Sequence, residues 1–157
     1  MRTIGLWAIC GLILPLAGCS HLKARSTPKD PNILQFRLVE EEGRADAEPV
    51  KIRGREATCC VSKQVLMDAR DVKSAHVTRG AGGKRQVSLT FTEPGFRKLV
   101  EITGRNVGRR LAILVEGQVL AAPTIHTVID VNHAVIVGDF SPEELRAIAR
   151  AINAAAR

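Results

Sequence analysis

The sequence predicts an α+β fold, in which a single small domain has a mixed or antiparallel sheet with two main helices packed on it. Hydrophobic residues make up 45% and charged residues 25% of the 157-residue chain, a balance typical of one compact domain. This composition excludes a long disordered polymer and a polytopic membrane protein. Short runs rich in β-branched residues, separated by glycine and proline turns, predict strands. Two later segments carry helix start signals followed by apolar residues at helical spacing.

The chain begins with a segment typical of a secretory signal peptide, residues 1–18. It has one basic residue, Arg2, then an apolar run over residues 4–16 and two small residues before Cys19. The apolar run is too short for a permanent transmembrane helix. The segment resembles a bacterial lipoprotein signal with its lipobox, which implies that Cys19 becomes the first residue of the mature chain and carries acyl chains such as palmitate. The alternative is an ordinary signal peptide with an incidental cysteine.

A lipidated Cys19 would hold the protein on a membrane, because each buried methylene contributes about 0.8 kcal/mol. Ser20 follows in place of an aspartate, and the sorting rule implied by the resemblance then favours the periplasmic side of the outer membrane over the inner membrane. Loss of Arg2 with the signal lowers the net charge from +7 to +6. A basic domain in the periplasm suits acidic polypeptides and anionic polymers, and it meets no nucleic acid there.

The polar stretch over residues 19–32 is predicted to be a flexible tether between the lipidated cysteine and the folded domain, residues 33–157. In the first half of this domain, β-branched and apolar runs predict strands, and acidic or small residues predict loops. The predicted elements are, in order, a strand over Ile33–Val39, an acidic loop over Glu40–Pro49, a short strand over Ala57–Val61, a turn of helix over Asp68–Ala75 and an extended segment over His76–Thr78.

A strand followed by a helix is predicted in the middle of the chain. Polar and apolar residues alternate over Gln86–Thr92, which places Val87, Leu89 and Phe91 on one face of a sheet. Thr92 is suited to cap the helix, and Gly108 is expected to end it. The apolar stripe of this helix is predicted to consist of Phe96, Leu99, Val100, Thr103 and Val107.

Two hairpins and a final helix are predicted in the remainder. Glu116–Gly117 separates the strands Leu111–Val115 and Gln118–Ala122, the pattern of a tight hairpin turn. A second pairing is predicted between His126–Val131 and Ala134–Val137. The final helix begins with a capping box, because Ser141 is followed by proline and then by a glutamate three residues after the cap. Its buried stripe is predicted to be Leu145, Ile148, Ala149 and Ile152.

The sequence contains no recognisable catalytic or metal-binding constellation, and no cofactor is predicted. Its four histidines are scattered, without a second ligand at metal-binding spacing: His21, His76, His126 and His133. Cys59 and Cys60 are adjacent, and neighbouring Cα atoms about 3.8 Å apart are too close for an ordinary disulfide. Free thiols are therefore the first expectation, with a strained vicinal disulfide or an intermolecular bridge as alternatives. We expect a protein that is not an enzyme.

Several motifs in the second half together resemble the head subdomain of the first periplasmic domain of the SecD family. The most specific are Asn106–Ile113, Glu116–Val119, Ala122–Ile125 and Gly138–Ser141. The resemblance is close over residues 86–152 and looser over Cys59–Val77. It implies a non-enzymatic domain that belongs to the protein-export accessory complex, faces the periplasm and contacts polypeptides as they emerge from the translocation channel.

Two functions follow as expectations. The first is binding of extended or unfolded polypeptide, or of an envelope protein partner, at a sheet edge, with nearby basic side chains recruiting acidic segments. The second is a structural envelope lipoprotein whose basic surface contacts anionic cell-wall or lipid polymers. The basic residues predicted to contact a partner are Arg97, Lys98, Arg105, Arg109 and Arg110, for which an ordinary solvated helix face is an equal alternative.

Overall fold

The computed structural model describes residues 30–156, so the predicted signal peptide, Cys19 and most of the predicted tether lie outside the described residues. Within this range the chain forms nine strands and two α-helices. The strands are β1 (Leu34–Leu38), β2 (Ala47–Lys51), β3 (Thr58–Ser62), β4 (Met67–Asp68), β5 (Val72–Arg79), β6 (Arg85–Phe91), β7 (Leu111–Val115), β8 (Gln118–Ala121) and β9 (His133–Ile136). The helices are α1 (Glu93–Arg105) and α2 (Pro142–Ala155), and single 3-10 turns cover Pro31–Ile33 and Ala69–Asp71.

The strands form two small antiparallel sheets and a separate hairpin. One sheet has the order β4-β1-β7-β8 and the other β5-β6-β9, while β2 and β3 pair with each other. The hairpin β2–β3 covers one face of the first sheet, where Val61 packs with Ala112, Leu114 and Val119. The α+β prediction with two main helices in a single domain is therefore confirmed.

The main core lies between the two sheets and the two helices. Alternate residues of the strands point into it, and the rings of Phe36 on β1 and Phe91 on β6 meet with their centroids 6.1 Å apart. Leu99 on α1 and Ile152 on α2 are both almost fully buried in the same cluster. Burial of such a side chain stabilises the fold by about 1.5–3 kcal/mol. This core fixes β6 between β5 and β9, and so determines which edges of that sheet are exposed.

Both helices begin as the sequence predicts. The Thr92 hydroxyl accepts a hydrogen bond from the Gly95 amide at 3.1 Å. At α2, the Ser141 hydroxyl and the Glu144 carboxylate bond each other's backbone amides at 3.2 and 2.8 Å, which completes the capping box. The predicted stripe of α2 is buried, but Val107 lies beyond the end of α1 and is 52% exposed. The placement of Val107 in the stripe was therefore wrong.

The tight turn at Glu116–Gly117 is also confirmed. Both residues have positive φ angles, 53° and 73°, which matches the twist of the two strands that they join. The 3-10 turn over Ala69–Asp71 is shorter than the helical turn predicted over Asp68–Ala75, because β5 already begins at Val72. The side chains of Asp68 and Asp71 each accept a hydrogen bond from the backbone amide of the other residue, and this capping box ends the turn before Val72.

Two segments differ from the prediction. The loop predicted over Glu40–Pro49 ends earlier, since β2 begins at Ala47 and places Pro49 opposite Cys60. Residues 126–131 are not a strand, and β9 pairs with β6 instead. The reason is that this segment is fixed against α1, where the buried Thr103 hydroxyl accepts a hydrogen bond from the Ile129 amide at 3.0 Å.

Candidate polypeptide-binding surface

The five basic residues predicted to contact a partner do not form one surface. Arg97 and Arg105 lie on α1, and each pairs with a glutamate one turn earlier, Glu93 at 3.2 Å and Glu101 at 2.9 Å. Such exposed pairs contribute little to stability but neutralise the charge locally. These two arginines therefore belong to an ordinary solvated helix face.

Lys98 and Arg109 make contacts that connect distant parts of the chain. The Lys98 ammonium lies 2.8 Å from the carboxylate of Asp71, a residue that is only 5% exposed. Arg109 lies 2.7 Å from the carboxylate of Glu40, on the loop after β1. Since each cation already has a carboxylate partner, their evident role is to hold α1 and this loop in place. Arg110 differs, because its Nε donates to the Ala122 carbonyl at 3.1 Å and it has no carboxylate partner within residues 30–156.

One edge of the β5–β6–β9 sheet packs against α2, which bonds it at Ala75 through a side chain. The Asn153 amide accepts a hydrogen bond from the Ala75 N–H at 2.8 Å and donates to the Ala75 carbonyl at 2.7 Å. Asn153 thus pairs with β5 as a neighbouring strand would. The contact also shows which residues of β5 face away from β6. The N–H and C=O of Ala75 point toward Asn153 and so do not bond β6.

The opposite edge, formed by β9, is open. Backbone groups in an antiparallel ladder alternate between neighbours, so Leu89, opposite Ala75, directs its N–H and C=O toward Ala134 on β9. His133 and Val135 therefore direct theirs away from β6, and Val137 follows directly after the strand. No hydrogen bond joins these outward groups to any other residue between 30 and 156. The side chains of Val135 and Val137 are 41% and 55% exposed. Sequence patterning missed this edge because it paired residues 134–137 with residues 126–131, which are not a strand.

The other edges of the two sheets are less accessible. On β8, the Val119 carbonyl accepts a hydrogen bond from the Arg53 amide at 3.0 Å, so the end of the β2–β3 hairpin covers it. The strand β4 at the far side has only two residues. We define the β9 edge as residues His133–Val137, and it is the candidate surface for an added strand.

Cys59 and Cys60 are free cysteines that lie on opposite faces of β3. Burial raises the pKa of the Cys59 thiol, and the nearby positive charge of Arg110 opposes this shift. No group of three histidine, cysteine or carboxylate side chains with metal-binding geometry occurs between residues 30 and 156. Neither helix in this range is long and apolar enough to cross a membrane.

The comparisons with known proteins agree on one family. Residues 45–156 match the family model described as "SecDF, P1 head subdomain". The chain is 43% identical over 84 residues to protein translocase subunit SecDF of Thermus thermophilus, which covers 54% of this chain and 11% of that protein. It is 33% identical over 129 residues to protein translocase subunit SecD of Magnetococcus marinus, covering 82% of this chain and 23% of that protein. The chain therefore spans less than a quarter of the length of either relative.

Solved structures show the same relationship. A structure reported as that of "a membrane component SecDF that enhances protein export" superposes with a TM-score of 0.64 and 29% identity, covering 80% of this chain and 64% of the other. SecDF in its "super-membrane-facing form" gives a TM-score of 0.65 and 28% identity over 80% of this chain and 19% of the other. The resemblance read from the sequence motifs is thus confirmed. The chain belongs to the SecDF P1 head subdomain family.

Proposed function

We propose that this domain takes part in protein export as a non-catalytic binding module that holds an extended segment of polypeptide on the β9 edge. The observation that carries the proposal is the difference between the two edges of one sheet. Asn153 bonds both backbone groups of Ala75 on the β5 side, whereas His133 and Val135 leave their backbone groups unpaired on the other side. Folded proteins usually protect an exposed strand edge with charge, proline or a bulge, and the β9 edge carries valines instead.

Strand addition also fits the chemistry of an exported chain. An unfolded polypeptide of any sequence offers the same backbone donors and acceptors, so an edge strand binds it without demanding particular side chains. Each added backbone hydrogen bond contributes about 0.5–1.5 kcal/mol net, and only His133 and Val135 of β9 offer outward groups. The expected interaction is therefore weak and reversible, as is required of a module that must release a moving chain.

The test compares two charge-matched double variants. Val135→Lys with Val137→Lys adds two charges to the β9 edge, whereas His76→Lys with Thr78→Lys adds two charges to the β5 edge on the same face of the sheet. Binding of the full chain, in non-ionic detergent, to a fluorescently labelled unfolded secretory polypeptide is measured by anisotropy. We expect the first variant to weaken binding at least fivefold and the second to leave it within twofold.

Two results would contradict the proposal. One is equal binding of the unfolded polypeptide and its folded form. The other is binding that added salt abolishes equally for both forms, which is the behaviour expected of the structural alternative with anionic polymers. The ion pairs of Arg97, Lys98, Arg105 and Arg109 give that alternative no particular support.

We propose further that Cys19 is lipidated and that the domain faces the periplasm. Ser20 favours the outer membrane. The relatives are translocase subunits and a membrane component that enhances export, and this relationship favours the inner membrane instead. Metabolic labelling with a palmitate analogue, followed by separation of the two membranes on a density gradient, tests both points. Cys19→Ser is expected to abolish labelling, and label in the outer-membrane fraction would reverse the preference for the inner membrane.

A further inference from the structure

A cleft of about 520 Å³ lies at the end of the β9 edge, and its charge is not explained by strand addition. Its walls come from three separate segments: residues 52–55 between β2 and β3, residues 119–122 of β8 and its continuation, and residues 137–140 between β9 and α2. Val137 belongs both to this wall and to the β9 edge. The cleft is therefore continuous with the surface on which an added strand would lie.

The cleft is positively charged. Arg53, Arg55 and Arg110 line it, and Asp139 is the one carboxylate among its lining residues. Sequence patterning placed only Arg110 among the candidate contacts, because the other two arginines reach the cleft through the fold of the hairpin.

These arginines are less well paired than those on α1. Arg110 uses its Nε on the Ala122 carbonyl, which orients the guanidinium and leaves the two terminal nitrogens without a partner within residues 30–156. The side chain of Arg53 lies 3.5 Å from the Glu116 carboxylate, a longer separation than that of the α1 pairs. Arg55 makes no ion pair with any carboxylate between residues 30 and 156.

The surroundings favour a charged hydrogen bond with a carboxylate. Val119 is buried in the wall, and the ring of Phe140 packs so closely over Gly138 that a Cβ there would lie 2.4 Å from it. Arg55 and Arg110 are exposed, so a pair with a carboxylate gains here from the bidentate geometry of the guanidinium rather than from a low local dielectric constant. A planar guanidinium that is already oriented also loses less conformational freedom on binding.

We propose that this cleft binds an acidic side chain of the polypeptide held on the β9 edge. The inference rests on the proposed function and gives it a substrate preference: extended segments in which an aspartate or glutamate precedes a stretch of β-branched residues. A strand added antiparallel to β9, as the other strands of this sheet pair, has its N-terminal end beside Val137. An extended chain advances about 3.3 Å per residue, so a residue one or two positions beyond the partner of Val137 reaches the cleft. The chain's own preceding segment, residues 20–29, contains basic but no acidic residues, so its charge does not suit the cleft.

The test uses two labelled, N-terminally acetylated peptides with alternating threonine and valine, one beginning with two aspartates and the other with two asparagines. Anisotropy with the full chain in non-ionic detergent is expected to show about tenfold tighter binding of the aspartate peptide, as a charged hydrogen bond of this strength implies. The variant Arg55→Gln with Arg110→Gln is expected to remove this advantage. The matched variant Arg97→Gln with Arg105→Gln removes two arginines from α1 and is expected to retain it.

The outcomes separate the two proposals. Equal binding of both peptides overturns the acidic preference and leaves strand addition intact, whereas failure of both peptides to bind overturns strand addition as well. An aspartate advantage that survives loss of Arg55 and Arg110 overturns the location. Binding to phosphatidylglycerol vesicles is measured as well. If that binding needs these two arginines and the aspartate peptide does not reduce it, the cleft is assigned to lipid headgroups instead.

Cys59 provides an independent readout, because it lines the same cleft while Cys60 points to the other face of β3. In a Cys60→Ser variant, the aspartate peptide is expected to slow the alkylation of Cys59 by iodoacetamide. Mass spectrometry of the proteolytic fragment that contains Cys59 measures the rate of alkylation. In a Cys59→Ser variant, the aspartate peptide is expected to leave the alkylation of Cys60 unchanged. Equal rates of Cys59 alkylation with and without the bound peptide would overturn the placement.

Discussion

Replacement of Asn153 by alanine is expected to destabilise the fold by about 1–2 kcal/mol. The substitution removes two hydrogen bonds, at 2.8 and 2.7 Å, each worth about 0.5–1.5 kcal/mol. Ala75 is 1% exposed, so its freed backbone groups are poorly placed to bond water. The loss for each hydrogen bond therefore lies toward the upper end of the range of about 0.5–1.5 kcal/mol. Alanine has the better helix propensity, which offsets about 0.7 kcal/mol within α2.

Urea and thermal denaturation followed by circular dichroism measure this loss. For a domain of this size, 1–2 kcal/mol corresponds to a fall in Tm of about 4–8 °C. Arg150→Ala is the matched control, because it changes an exposed residue of the same helix and is expected to alter stability by less than about 0.5 kcal/mol.

A second substitution separates the hydrogen bonds from other effects of the mutation. Asn153→Asp keeps an acceptor for the Ala75 N–H but replaces the donor to the Ala75 carbonyl with a negative oxygen. It is expected to be at least as destabilising as the alanine variant at neutral pH. If both variants unfold within about 0.3 kcal/mol of the wild type, the assigned role of Asn153 is wrong.

Three further predictions concern residues that position α1 and α2. Gly95→Ala would place a Cβ 2.1 Å from the carbonyl oxygen of Asp71, so urea denaturation should show a loss of about 1–3 kcal/mol, and an unchanged midpoint would refute the close approach. Lys98→Ala should lower stability by about 1–3 kcal/mol, because it leaves the buried Asp71 carboxylate without its cation, and should leave polypeptide affinity unchanged; a selective loss of affinity would restore Lys98 as a contact residue. Hydrogen bonds from Ser141 lower the pKa of Glu144 in the folded protein. Because the folded pKa is depressed, ionised Glu144 stabilises the fold above its unfolded pKa of about 4.3, and this stabilisation is lost as the pH falls through the folded pKa. Glu144→Gln should therefore flatten the pH dependence of Tm in acid, and an identical acid profile would exclude this contribution.

Locally encoded features were predictable from the sequence. The start of α2 depends on Ser141 and Glu144, three residues apart, and the hairpin between β7 and β8 depends on two turn residues. The two i,i+4 pairs on α1 could likewise be read from spacing alone. Such features need no knowledge of the tertiary fold, and they also carry much of the family motif.

Features that depend on distant contacts were not predictable in the same way. The strand β2 contains Pro49, which usually argues against a strand, and it forms because β3 and the first sheet lie beside it. The pairing of Arg109 with Glu40 crosses 69 residues of sequence, so the charge pattern gave no sign that this arginine was already neutralised. The open edge was missed for the same reason, since it depends on whether Asn153 or another strand lies beside each side of the sheet.

The unequal edges of the β5–β6–β9 sheet also restrict how copies of the chain can assemble. A sheet grows into a fibre only if every added copy presents a fresh edge for the next one. A copy that pairs through β9 presents on its other side the β5 edge, which packs against α2 and whose Ala75 backbone groups are bonded to Asn153. Pairing of β9 with β9 closes on itself about a twofold axis. Growth through the β5 edge would require Asn153 to leave Ala75, so this sheet is poorly suited to continued polymerisation.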